Sequence, residues 1–150
     1  MSNHEEGLPI ETTHRIRDAC LCLHAQRAAR ALARVFDEAL RPLDLTNGQF
    51  SLLNALNRKN PPPMAPVAAL LAMDRTTLTA ALKPLERRGL VAVAPDLKDR
   101  RSRLLALTPA GKKLLAQAAP IWERVHVDVE ARLDAEADVL RRNLRALAEG

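Results

Sequence analysis

The chain has 150 residues, enough for one domain with a real apolar core, and carries a formal charge of +5 with five glycines and no tyrosine. The cation excess suits a polyanionic partner. Aromatic residues make up only 2% of the chain, too few for the stacking platforms that read single strands or RNA. No glycines cluster into a phosphate loop, and neither a Ser/His/Asp set nor a His-Glu-x-x-His motif stands out. Four scattered His and two Cys make no recognisable ligand set, so no enzyme activity, cofactor or metal is expected.

Residues 1–12 read as a flexible tail, polar and acidic rather than a targeting segment. No apolar run approaches the ~20 residues that span a bilayer, so a cytoplasmic protein without a membrane partner is expected. A long helix is predicted from His14 to Leu40. Ile16, Cys20, Leu23, Ala28, Leu32, Val35, Phe36 and Ala39 recur at its 3–4 spacing, and Pro42 stops it. On such a helix Cys20 falls on the apolar stripe as a small buried residue. Cys22 would point ~200° away, so the two could not bridge without local unfolding.

Thr46 opens a second helix to Leu56, with Gln49 three residues on as a capping box and Phe50, Leu53 and Leu56 facing inward. Asn60-Pro61-Pro62-Pro63 is a stiff linker, too proline-dense for regular structure. MAPVAALLAM follows as a short helix with Pro66 in its first turn, and a tight turn at Met73 leads to another helix. Asp74 caps that helix and Gly89 ends it as a C′ glycine. Leu78, Ala81, Leu82 and Leu85 share one side. Thr76, Thr79, Ala80, Lys83 and Arg87 share the other, which offers hydroxyls, a methyl and two cations but no carboxylate.

Leu90–Ala94 and Arg103–Leu107 are short apolar runs that can pair as a hairpin. The loop between them sets Lys98, Arg100 and Arg101 against Asp96 and Asp99. A fifth helix starts after Thr108 with Pro109 in its first turn and carries Leu114, Ala118, Ile121, Val125 and Val129. Pro84 and Pro120 lie inside helical patterns, and a bend is predicted near Ala80–Lys83. Asp134 is expected to cap a last helix aligning Ala137, Leu140, Leu144 and Leu147.

Helix, tight turn, helix and cationic hairpin together form a groove-reading device. The pieces LDLTNGQFSLLNAL, DRTTLTAALKPLERRGLV and DLKDRRSRLLALTPAG resemble the MarR family of winged-helix transcription regulators, and the likeness extends over most of residues 14–148. It implies a mainly α fold with a small β-hairpin wing and terminal helices that form a dimerisation platform. Residues 43–108 would be the DNA-binding winged helix-turn-helix. Residues 13–42 and 109–150 would form the helical dimerisation region, the two parts intertwined in one domain. Two protomers would place their reading helices about one DNA turn apart, roughly 34 Å, on a palindromic duplex. The open alternative to a dimer is a monomer with a packed helical cap.

On this reading Thr76, Thr79 and Lys83 reach base edges, while Arg75, Arg87 and Arg100 bind phosphates. Arg101 enters the minor groove, braced by Asp99 as the resemblance implies. Thr77, Lys98 and Arg103 complete the contact surface. Lys98 stands where the family more often has Arg, keeping the charge without the planar fork. The rival reading is a winged-helix protein-interaction module that does not bind DNA. The cation set of Lys83, Arg87, Arg100, Arg101 and Arg103 separates the two.

Repression released by a signal is the family's common pattern. LCLHAQRAARAL resembles the first helix of the organic-hydroperoxide sensors of the family, in which a reactive cysteine precedes an Arg by eight residues, as Cys22 precedes Arg30. The tyrosines that hold that thiolate are missing here, and Gln26 lies four residues after Cys22. The other route is a small aromatic or phenolic effector in a crevice for which the sequence offers His24, Arg27, Trp122 and His126.

Overall fold

The computed structural model describes residues 7–149, so the part of the expected tail at residues 1–6 lies outside the described residues. In chain order the elements are α1 (Ile10–Ala19), α2 (Leu21–Leu40), a 3₁₀ turn (Arg41–Leu43), α3 (Asn47–Ala55), α4 (Met64–Leu70) and α5 (Arg75–Arg87). The strands β1 (Val91–Pro95) and β2 (Arg103–Leu107) and the helices α6 (Pro109–Glu130) and α7 (Ala137–Glu149) follow. The strands pair antiparallel, with Val91 opposite Leu107 and Pro95 opposite Arg103. No helix is long and apolar enough to cross a membrane among the described residues.

The first helical segment departs from expectation at both ends. Helix begins at Ile10, inside the stretch read as tail, with Pro9 as its N-cap residue. It then breaks at Cys20, whose φ of −66° and ψ of 109° are extended rather than helical. Cys20 is therefore the N-cap of α2, not a mid-helix core residue, and it is half-buried. Its Sγ accepts the Leu23 backbone N–H at 3.5 Å, and its carbonyl accepts from both the His24 N–H and the ring. The Sγ bond takes up a Leu23 N–H that a continuous helix would have paired with the Ala19 carbonyl.

The signals at the start of α3 and the end of α5 hold. Thr46 and Gln49 form the reciprocal capping box of α3, with Thr46 Oγ1 to Gln49 N at 3.2 Å and Gln49 Oε1 to Thr46 N at 3.1 Å. Asp37 of α2 adds a third ligand, its Oδ1 accepting the Asn47 N–H at 2.6 Å. Gly89 has the left-handed φ of 70° that a C′ position requires, and Ala72 (φ 52°) makes the tight turn between α4 and α5. Neither internal proline ends its helix: α5 runs unbroken through Pro84 and α6 through Pro120. Each proline deprives the carbonyl four residues back of its N–H, and those residues, Ala80 and Ala116, are exposed. The last helix starts at Ala137, so Asp134 sits in the preceding turn and does not cap it.

The core lies in the central lobe. Leu52, Leu53, Val67, Leu78, Leu85 and Leu105 are essentially sealed from solvent, and α2 contributes Leu40. Each such side chain stabilises the fold by about 1.5–3 kcal/mol relative to an exposed one. Phe50 only packs against this cluster from outside. The proline segment does more than link: the Pro62 carbonyl accepts the Leu105 N–H at 2.9 Å, and Pro63 bridges Leu104. Prolines tolerate this edge position because only their carbonyls are used. Helix α6 returns from the wing to pack on α2 and α3. By contrast, α1 and α7 bury none of their residues.

Candidate nucleic-acid interface

Helix α5 presents the two faces its spacing promised. Leu78, Leu82 and Leu85 are buried, whereas Arg75, Thr76, Thr77, Thr79, Lys83 and Arg87 are all exposed. Asp74 fixes the helix start, its Oδ1 accepting the Thr77 N–H at 2.7 Å. That N–H, the Thr77 hydroxyl and the Thr76 N–H hold the Asp74 carboxyl below its ordinary value of 3.8. The Thr79 hydroxyl donates to the Arg75 carbonyl at 2.8 Å, so its free lone pair and methyl face outward for a partner. Glu86 shares a surface depression with Lys83 and Arg87, so the C-terminal end of this face does carry a carboxylate.

The wing tip is organised by its own aspartates. Asp96 Oδ1 accepts the Lys98 N–H at 2.9 Å, and Asp99 Oδ1 accepts the Arg101 N–H at 3.0 Å. The Ser102 N–H reaches the Asp99 carbonyl at 3.0 Å and closes the turn. Asp99 thus braces Arg101 through the main chain and leaves the guanidinium unengaged. Lys98, Arg100, Arg101 and Arg103 are all exposed. So is Leu97, 96% exposed at the tip, an apolar side chain that the charge-centred sequence reading passed over.

Helix and wing meet. Arg75, Asp99, Arg101 and Ser102 line one cleft of about 480 Å³ with Met64 and Ala65 of α4. The first residue of the reading helix and the central cation of the wing therefore border the same concavity, with two guanidinium groups free to take anionic oxygens. Two positioning residues escaped the sequence reading. Arg88, just past α5, donates to the Asp44 carbonyl at 2.6 Å and latches the reading helix to the α2–α3 turn. Thr108 donates to the Gly89 carbonyl at 2.6 Å and accepts the Gly111 N–H at 3.1 Å, tying the end of α5 to the start of α6.

This geometry has counterparts in known proteins. The MarR family profile matches residues 43–102. The transcriptional regulator HosA of Escherichia coli O157:H7 is 38% identical over 99 residues, covering 65% of this chain and 72% of that one. The chain belongs to the MarR family. The transcriptional regulator MosR of M. tuberculosis, solved in complex with DNA, superposes with a TM-score of 0.80 at 37% identity, covering 87% of this chain and 94% of that one. The repressor CouR bound to a 23-mer DNA duplex gives 0.72 at 30% identity, with 89% and 94% coverage. This MarR-family protein is a DNA-binding transcription regulator with the expected winged-helix fold, and the interaction-module alternative is not favoured.

The expected effector residues divide between two places. Trp122 and His126 of α6 stack at 4.5 Å, and with Phe36 of α2 and Phe50 of α3 they line a cavity of about 360 Å³. Every aromatic residue of the chain borders that cavity, since it has two Phe, one Trp and no Tyr. His24 and Arg27 instead line a separate exposed cleft on α2 with Arg30 and Arg34. At 100° per residue Arg27 lies about 180° and His24 about 120° around the helix from Phe36, so neither shares its face. Glu130 joins His126 (3.4 Å) to Arg141 of α7, and Arg141 also holds Asp138 at 2.7 Å.

Proposed function

We propose that the protein acts in the cytoplasm as a homodimeric repressor on a palindromic duplex. Thr76, Thr77, Thr79 and Lys83 would take the major groove. Arg75, Arg87, Lys98, Arg100 and Arg103 would take phosphates, and Arg101 the minor groove. The observation that carries this reading is the cleft shared by Arg75 and Arg101, because it gives helix and wing one common approach to a duplex. The dimer is supported by uncovered apolar side chains on the terminal helices, among them Ile10, Ile16, Val139, Leu140, Leu144 and Leu147. A stripe of that kind needs a partner to leave water, and twofold pairing is the commonest solution.

Hydroxyl-radical footprinting of the gene's own upstream DNA tests this. Two protected half-sites on one face, about one helical turn apart, are expected with two chains bound. One isolated half-site with one chain bound would overturn the dimeric reading. The aromatic cavity supports a small aromatic or phenolic effector, which would stack on Trp122 between the α2–α6 platform and α3. Titration of Trp122 fluorescence with phenol and benzoate tests that role, and saturable quenching is expected from at least one of them.

A further inference from the structure

Among the described residues of the lobe at 43–108, Leu70 and Leu97 are the large apolar side chains left exposed, and Leu97 is 96% exposed against 64% for Leu70. The fold does not call for a leucine there. At that exposure Leu97 packs on almost nothing, and its φ is not left-handed, so the turn makes no demand on its side chain. Its place is nevertheless fixed. The Asp96 N–H donates to the Ser102 carbonyl at 3.1 Å, and Asp96 Oδ1 accepts the Lys98 N–H at 2.9 Å. Leu97 is held between these two anchors, two positions past the last strand pair, Pro95 with Arg103. Lys98, Arg100 and Arg101 follow within four residues. The nearby carboxylates of Asp96 and Asp99 each give one oxygen to a main-chain N–H. The wing's side of the cleft shared with α4 and α5 is made by Asp99, Arg101 and Ser102, so Leu97 stands outside that cleft.

An apolar tip followed by a run of cations suits one part of duplex DNA. The minor groove is about 6 Å wide, too narrow for a helix but open to the side chains of a hairpin tip. Phosphates edge its mouth, where cations belong, and deoxyribose carbons form its walls, where an apolar side chain belongs. We propose that Leu97 is an apolar minor-groove contact at the leading end of the wing. It leans on the sugar walls and wedges at a base step beside the Arg101 site. Burial of a leucine displaces water and releases no counterions, so its contribution does not fall with salt as that of a cation does. A wedge favours the step that opens most easily, so Leu97 selects a pyrimidine–purine step, TA or CA/TG, under the wing. The inference rests on the proposed seating of the wing in the minor groove, which Arg101 tests independently.

The test uses full-length protein and the duplexes it selects from a randomised pool, with Leu97→Ser, Leu97→Met and Arg101→Ala compared against wild type. Leu97→Ser is expected to bind about tenfold more weakly, a partial loss of leucine burial, with its log–log salt slope unchanged. Leu97→Met keeps the apolar volume and should stay within about twofold. Arg101→Ala should instead flatten the slope, by about one. The selected duplexes should carry a pyrimidine–purine step under the wing. Changing that step to ApA should weaken wild type about threefold and Leu97→Ser not at all. Leu97→Ser within twofold of wild type, with Arg101→Ala impaired, would overturn the wedge and leave the seating of the wing standing. If neither variant is weakened, both fall, and a pool that yields no bound duplex would overturn the DNA reading itself. A Leu97→Ser loss with a flatter slope, or equal sensitivity of wild type and Leu97→Ser to the step, would also overturn the proposal, because Leu97 would then only support the neighbouring cations.

Discussion

In the lobe spanning residues 43–108, apolar side chains are sealed against one another. In α1 and α7 none is buried, although α7 aligns Leu140, Leu144 and Leu147 as regularly as α5 aligns Leu78, Leu82 and Leu85. Apart from Leu40, Leu115 and Ala118, every buried apolar residue among those described belongs to the lobe. An amphipathic stripe thus specifies a helix but not its partner. The lobe buries its stripes within one chain, whereas α1 and α7 leave theirs uncovered.

The sharpest way to break this contrast is to truncate each region in turn. Leu53→Ala in the lobe should cost about 2–5 kcal/mol of unfolding free energy, read by denaturant titration at any protein concentration. Gly111→Ala comes next. A Cβ there would sit 2.1 Å from the Leu90 carbonyl oxygen, a backbone atom that cannot move freely. Overpacking of this kind costs about 1–3 kcal/mol, and the chevron or melting curve should show it as lost lobe stability. Arg101→Ala leaves stability alone and should weaken duplex binding by about 1–3 kcal/mol. A gel-shift affinity within twofold of wild type would refute the wing assignment.

Leu144→Asp on α7 should raise the dimer dissociation constant at least tenfold, about 1.4 kcal/mol. The lobe's unfolding midpoint at high dilution should not move. Sedimentation velocity separates this from a monomer with a packed helical cap, in which the same change would lower stability and leave the molecular mass unchanged. The smallest effect belongs to Asp74. Its carboxyl is held below 3.8 in the folded chain, so its contribution is present above that pH and is lost as pH falls through the lower folded value. Asp74→Asn should therefore be mildly destabilising at neutral pH, with the gap to wild type closing on acidification.

Much of this was legible in the sequence because the signals were local. The Thr46–Gln49 box, the Asp74 cap, the Gly89 turn and the two hairpin runs each depend on side chains a few residues apart. The α5 faces followed from spacing alone. What escaped depends on distant atoms or on competition between equals. Nothing in the residues around Cys20 marks a helix break, since neither Gly nor Pro is present. The thiol-to-Leu23 bond that favours the break emerges only once the chain has turned. The Arg88 latch and the Gly111–Leu90 contact join residues far apart in the chain or on different elements. His24 and Arg27 were grouped with Trp122 and His126 by chemistry, but the rotation of α2 separates them. The wing's cations were found by charge, and the same criterion overlooked Leu97.

The salt dependence of duplex binding tests the account most directly. Two lobes that each neutralise three to five phosphates should give a log–log slope of affinity against salt of about −5 to −9. A slope near zero, or one half as steep as that with a single chain bound, would contradict a paired cationic surface built from α5 and the wing.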